Sequence, residues 1–81
     1  MKDVVSMQEK MEMILDELVE GQKKKLMAVA SQIVPKITMD DLLQPNDYPE
    51  LETNGVFRYE EGLLAGIESA RMALRQFSDG E

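Results

Sequence analysis

The chain has no cysteine, no histidine and no tryptophan, and these absences close off much of the chemistry open to a small protein. Without cysteine there is neither a disulfide staple nor a zinc–thiolate site. Without histidine the commonest metal ligand is missing, and Ser-His-Asp and Cys-His catalysis go with it. A carboxylate-bridged di-iron centre built on Glu-x-x-His pairs is excluded for the same reason. Aromatic residues are scarce, two tyrosines and two phenylalanines, which is little stacking surface for single-stranded nucleic acid. Basic residues are outnumbered nine to sixteen by acidic ones, leaving a net charge of −7. Such a chain repels nucleic-acid phosphates and anionic lipid, so neither nucleic acid nor a membrane surface is an expected partner. No apolar run approaches the roughly 18 residues of a spanning helix. Acids are scattered through the opening MKDVVSMQEKMEMILDEL, so a signal peptide is not expected there and the cytoplasm is the expected location.

What is present is helical periodicity. From Asp3 to Val34 only Gly21 interrupts a helix-compatible run. Val4, Met7, Met11, Ile14, Leu15, Leu18 and Val19 recur at helical spacing, and Leu26, Val29, Ala30, Ile33 and Val34 continue the pattern beyond the glycine. Gln22 interrupts the line that joins the two stripes. A second helix is expected over about 56–77, where Val56, Tyr59, Leu63, Ile67, Ala70, Leu74 and Phe77 fall at gaps of three and four. Beside that stripe runs a ridge of small residues, Gly62, Gly66, Ala70 and Ala73. Glycine inside a helix costs roughly 1 kcal/mol relative to alanine, so the ridge suggests that another helix backbone comes close. The bland alternative is that Gly62 sits near the helix start and Gly66 is merely tolerated.

Pro35 ends the first helix, because proline disfavours helical geometry in the residue before it. The connection, about 35–55, is long for a link between helices, and it carries local structure of its own. Thr38 with Asp41 three residues on reads as a helix start, and Asp40 and Asp41 suit the positive end of a helix dipole. A turn or two over 39–44 would pin Leu42 and Leu43 to the core. Pro49 fits the first position of another short turn, and Asn54-Gly55 reads as a turn or helix end. Tyr48 and Phe57 are expected to anchor this loop. Arg58 either pairs with Glu61 at i+3 or clamps an acid of the connection. No segment alternates as a strand would.

The remaining clusters have ordinary readings. Met7, Met11, Met13 and Met27 form either an adaptable binding face or common core packing. Lys23, Lys24 and Lys25 either contact an acidic partner or the acidic connection of a neighbouring chain, or form a solvated face with Glu20 and Lys24 paired at i+4. Asp40, Asp41, Asp47, Glu50, Glu52, Glu60 and Glu61 crowd the connection but lack the alternation and central glycine of a calcium loop. No cofactor or metal is expected. An enzyme is not expected either: paired carboxylates need a sugar-sized cleft to work as a glycosidase, and no glycine is followed by the Lys-Ser/Thr of a phosphate loop.

The expected fold is therefore all-α and a single domain. A long first helix, about 3–34, and a second, about 56–77, form an antiparallel hairpin around a Pro-punctuated connection. An uninterrupted first helix would be about 48 Å long and the second about 33 Å, from the helical rise. Either the first bends at Gly21 or a second chain covers the overhang. Small domains without staples often share their core with a partner. A homodimer resembling a four-helix bundle is thus expected, with Met7, Met11, Ile14, Leu18, Gly62, Leu63, Gly66, Ile67, Ala70 and Leu74 as packing or interface residues. The expected function is a small acidic protein–protein interaction module, structural or adaptor in kind. The alternative is a small chaperone or regulatory subunit that holds a hydrophobic helix of a client.

Overall fold

A computed structural model describes residues 2–42, 44 and 47–79, and the side chains of 7–42, 44 and 47–77 within them. Among the described residues four helices follow in order: α1 (Lys2–Ile33), α2 (Met39–Leu42), α3 (Pro49–Glu52) and α4 (Gly55–Asp79). There is no strand among the described residues. The molecule is an all-α hairpin, elongated to 50 × 20 × 19 Å. Arg75 reaches back to Glu12, Arg71 to Asp16 and Gln22 to Glu60. The contacts run in opposite order along α1 and α4, so the two are antiparallel. Leu43 and Val4, both read as apolar contributors, lie outside the described side chains.

Gly21 does not end or divide α1, which is continuous through it. The overhang is also smaller than the sequence implies, because α4 starts earlier and ends later than the apolar stripe does. Its start has a clear cause: the Asn54 side-chain Oδ1 accepts from the Phe57 N–H at 2.9 Å, an N-cap that satisfies one of the helix's free donors. Asn54-Gly55 thus opens a helix. At the other junction α1 stops just before Pro35, as proline requires. Lys36 then takes a left-handed backbone with φ of 69°, and the chain turns so that Ile37 enters the core. Only glycine adopts that conformation without steric cost. Lys36→Gly is expected to raise stability by about 0.5–1 kcal/mol, read as a higher urea midpoint. An unmoved or lower midpoint would count against strain at this turn.

The connection is built from two reciprocal caps and a proline start. The Asp41 carboxylate accepts from the Thr38 N–H at 2.9 Å, and the Asp41 N–H donates to Thr38 Oγ1 at 3.3 Å. This is a capping box closed by an aspartate. The Thr38 backbone N–H, first among the influences, holds the Asp41 carboxyl below its ordinary value near 3.8. A depressed carboxyl stabilises the fold above its unfolded pKa and loses that contribution as pH falls through the folded value. Acid titration is therefore expected to loosen α2 first, seen as Thr38 and Asp41 amide shifts moving below pH of about 4; an Asp41→Asn variant with the same titration would contradict this. Pro49 opens α3, and the Thr53 hydroxyl donates to the Pro49 carbonyl at 3.0 Å.

The core lies at the connected end of the hairpin. Leu26, Ala30, Ile37, Leu51 and Phe57 form one buried cluster, with Leu42, Tyr48, Ile33 and Leu64 packed against it. Phe57 and Leu51 are wholly buried. Leu42 and Tyr48, both read as loop anchors, pack against this cluster. Arg58 does not clamp the connection: it pairs with Glu61 of its own helix at 3.3 Å. Farther along, towards the free ends of the helices, Val19 is the one buried apolar residue among the described side chains.

Candidate interaction surface

The helix faces that meet are not the faces the apolar stripe of α4 would select. Towards α1 the fourth helix turns Phe57, Glu60, Leu64, Arg71 and Arg75, three of the five charged. Val56, Tyr59 and Phe77, all in the apolar stripe, are exposed instead. The reason is that α1 offers polar partners along the same line. Gln22 is the clearest: its side-chain amide donates to Glu60 Oε1 at 2.7 Å and to the Glu60 carbonyl at 3.0 Å. Glu60 is buried, and Lys25 approaches its other carboxylate oxygen at 3.5 Å. Beyond Val19 the contact is carried by Arg71–Asp16 at 3.2 Å and by Arg75 with Glu12 and Asp16 at 3.4 Å. Half-exposed ion pairs of this kind contribute roughly 0–1 kcal/mol each. They align the helices more than they stabilise them.

This leaves an apolar side uncovered. On α1, Met7, Met11, Ile14 and Leu18 follow at steps of four and three, about a quarter turn from the line through Val19 and Leu26. On α4, Leu63, Ala70, Leu74 and Phe77 lie about a quarter turn from the line through Leu64 and Arg71, in the same rotational sense. In an antiparallel pair, equal turns in the same sense lead to the same side of the hairpin. Met7 is 61%, Ile14 56% and Phe77 63% exposed, and Leu63 is 39% exposed. Ile67 and Leu74 are half-buried. Asp16 falls on the opposite side of the seam by helical phase, and Arg75 reaches across to it.

The small-residue ridge borders this apolar side and meets nothing within the chain. A Cβ added at Gly62 or Gly66 would find no atom within 4 Å. No close helix crossing therefore occurs there in the single chain. The lysine cluster also resolves differently from its reading: Glu20 pairs with Lys23 at 3.5 Å, and Lys25 crosses to Glu60. Glu20, Lys23, Lys24, Met27 and Met39 line an open depression of about 370 Å³. Among the described residues no three acids gather as metal ligands, and no helix is long and apolar enough to cross a membrane.

Compared with protein-family models, curated proteins and solved structures, the chain matches none of them. The surface itself is thus the sole guide to function.

Proposed function

We propose that this chain is a non-catalytic protein–protein interaction module that binds apolar helical surface along one side of its hairpin. The observation that supports it is the exposed side formed by Met7, Met11, Ile14 and Leu18 with Leu63 and Phe77. Two packed helices with one buried apolar residue among the described side chains of their free halves form an incomplete layer structure, and covering an apolar stripe is what completes it. A contiguous exposed patch of this kind marks a contact site. Helix-in-groove recognition suits its shape, since paired helices leave a shallow furrow for a third.

The test is a double substitution, Ile14→Lys with Leu18→Lys. Both side chains are exposed in the single chain, so each should shift hairpin stability by no more than about 0.5 kcal/mol. The wild type is expected either to self-associate or to bind an apolar fluorescent dye, and the double variant to do neither. A wild-type chain that stays monomeric and ignores the dye would sink the reading.

A second version has the side reserved for a hydrophobic helix of a client, as a small chaperone or regulatory subunit would hold it. Its support is that Met7 and Met11 lie on this side, because methionine adapts to irregular partner surfaces. A dye-binding monomer would favour it.

A further inference from the structure

We infer that the hairpin is two stability units in one chain, a connected end that holds and a free end that opens by itself. The boundary lies at Gly21 on α1 and at Gly62 to Gly66 on α4. This goes beyond the interaction-module reading and does not depend on it.

The buried apolar material is divided unevenly. Leu26, Ala30, Ile37, Leu51 and Phe57 form one cluster at the connected end, and Leu64 packs back against it. Towards the free end Val19 is the one buried apolar residue among the described side chains, and it stands outside that cluster. Leu15, Ile67 and Leu74 are only half-buried there. The rest of the seam is Arg71 with Asp16 at 3.2 Å, and Arg75 with Glu12 and Asp16 at 3.4 Å. The Asp16 and Arg75 side chains are 48% and 51% exposed, so water and salt screen these pairs. A segment held by few buried apolar contacts and wet ion pairs opens at a lower cost than the domain as a whole.

The division falls where the helices themselves are weakest. The Gln22–Glu60 hydrogen bond, at 2.7 Å, marks the edge of the connected end. Gly21 lies one residue beyond it on α1, and Gly62 and Gly66 lie two and six residues beyond it on α4. After proline, glycine is the poorest helix former. Packing does not require it here, because a Cβ added at Gly21, Gly62 or Gly66 would meet no atom within 4 Å. A helix unravelling from its free end therefore gives up its least favourable residues at this level and then meets the core. Opening releases Val19 with Leu15, Ile67 and Leu74, adding apolar surface beside Met7, Met11 and Ile14.

The experiment is native-state hydrogen exchange of the full chain, followed amide by amide over a urea series. The Leu26 and Ala30 amides are expected to exchange only through global unfolding, with a steep urea dependence. The Leu15, Val19 and Leu74 amides should exchange at least about tenfold faster, with a shallow one. Two variants separate the units. Ile37→Val, in the buried cluster, should speed Leu26 and Ala30 roughly two- to tenfold and leave Leu15, Val19 and Leu74 unchanged. Gly21→Ala, which meets no clash, should slow Leu15 and Val19 about fivefold through helix propensity. If Ile37→Val speeds all five amides by one factor, the hairpin is a single unit and the inference is overturned. If Gly21→Ala leaves Leu15 and Val19 unmoved, the boundary on α1 is not at Gly21.

Discussion

Replacing Phe57 with alanine is expected to remove about 3–5 kcal/mol of folding stability. Phe57 is wholly buried where α1, α3 and α4 converge, in contact with the cluster that includes Leu26, Ala30 and Leu51. A chain of this length has about 4–12 kcal/mol to lose. At about 4–8 °C per kcal/mol for a domain of this size, the melting temperature should fall by at least about 12 °C, or the cooperative transition should vanish. Calorimetry at a fixed protein concentration is the appropriate measurement, since association would otherwise shift the midpoint by mass action. Val56→Ala and Tyr59→Ala, one and two residues away but exposed, should cost little by comparison. If Val56→Ala proves as damaging as Phe57→Ala, the assignment of the inward face of α4 is wrong.

The second large effect is expected at Gln22 and Glu60, and it is a pattern across three variants. Gln22→Leu removes both hydrogen bonds from its amide to Glu60, leaving a buried carboxylate with a single lysine partner. Stranding such a group costs about 1–3 kcal/mol. Glu60→Leu alone strands the half-buried Gln22 amide and should also destabilise. Making both changes together replaces a polar pair with apolar side chains of similar volume, which is often neutral or better. Most of the loss should therefore be recovered in the double variant, a coupling of about 0.5–3 kcal/mol. Losses that simply add would mean the two side chains do not act as a unit.

Those two positions also show what could and could not be read from the chain beforehand. Local signals were legible because their physics is local. Pro35 stops α1, Thr38 and Asp41 cap α2, and Pro49 opens α3, each through contacts within a few residues. The existence of two long helices follows from apolar spacing for the same reason. Which side of α4 faces α1 is a different matter, since it depends on partners some forty to sixty residues away in sequence. Apolar periodicity points to Val56, Tyr59 and Phe77, whereas the contact is made through Phe57, Glu60, Leu64, Arg71 and Arg75. Gln22 reads as an interruption of a stripe and turns out to be the donor that Glu60 requires. The signal that could have exposed this is the alignment of Gln22, Asp16 and Glu12 with Glu60, Arg71 and Arg75 in antiparallel register. Asn54-Gly55 is ambiguous for a similar reason, because asparagine serves helix starts and helix ends alike. Met7, Met11, Ile14, Leu18, Leu63, Ile67, Ala70 and Leu74, read from the sequence as packing or interface positions, fall along one side of the hairpin by helical phase. The sequence pattern could group them by helix but could not say whether they face each other or stand side by side.

The methionine methyl groups allow the most direct test that the apolar side is a contact surface. Met7 and Met11 lie on that side, while Met13 and Met72 lie off it, and all four are exposed in the single chain, Met13 and Met72 each at 62%. With methyl-labelled protein at a concentration well above the micromolar range, a soluble paramagnetic probe should broaden Met13 and Met72 strongly and spare Met7 and Met11. Dilution should remove the protection. Four methyl signals that broaden alike at every concentration, with and without an apolar dye, would contradict the apolar side as a contact surface.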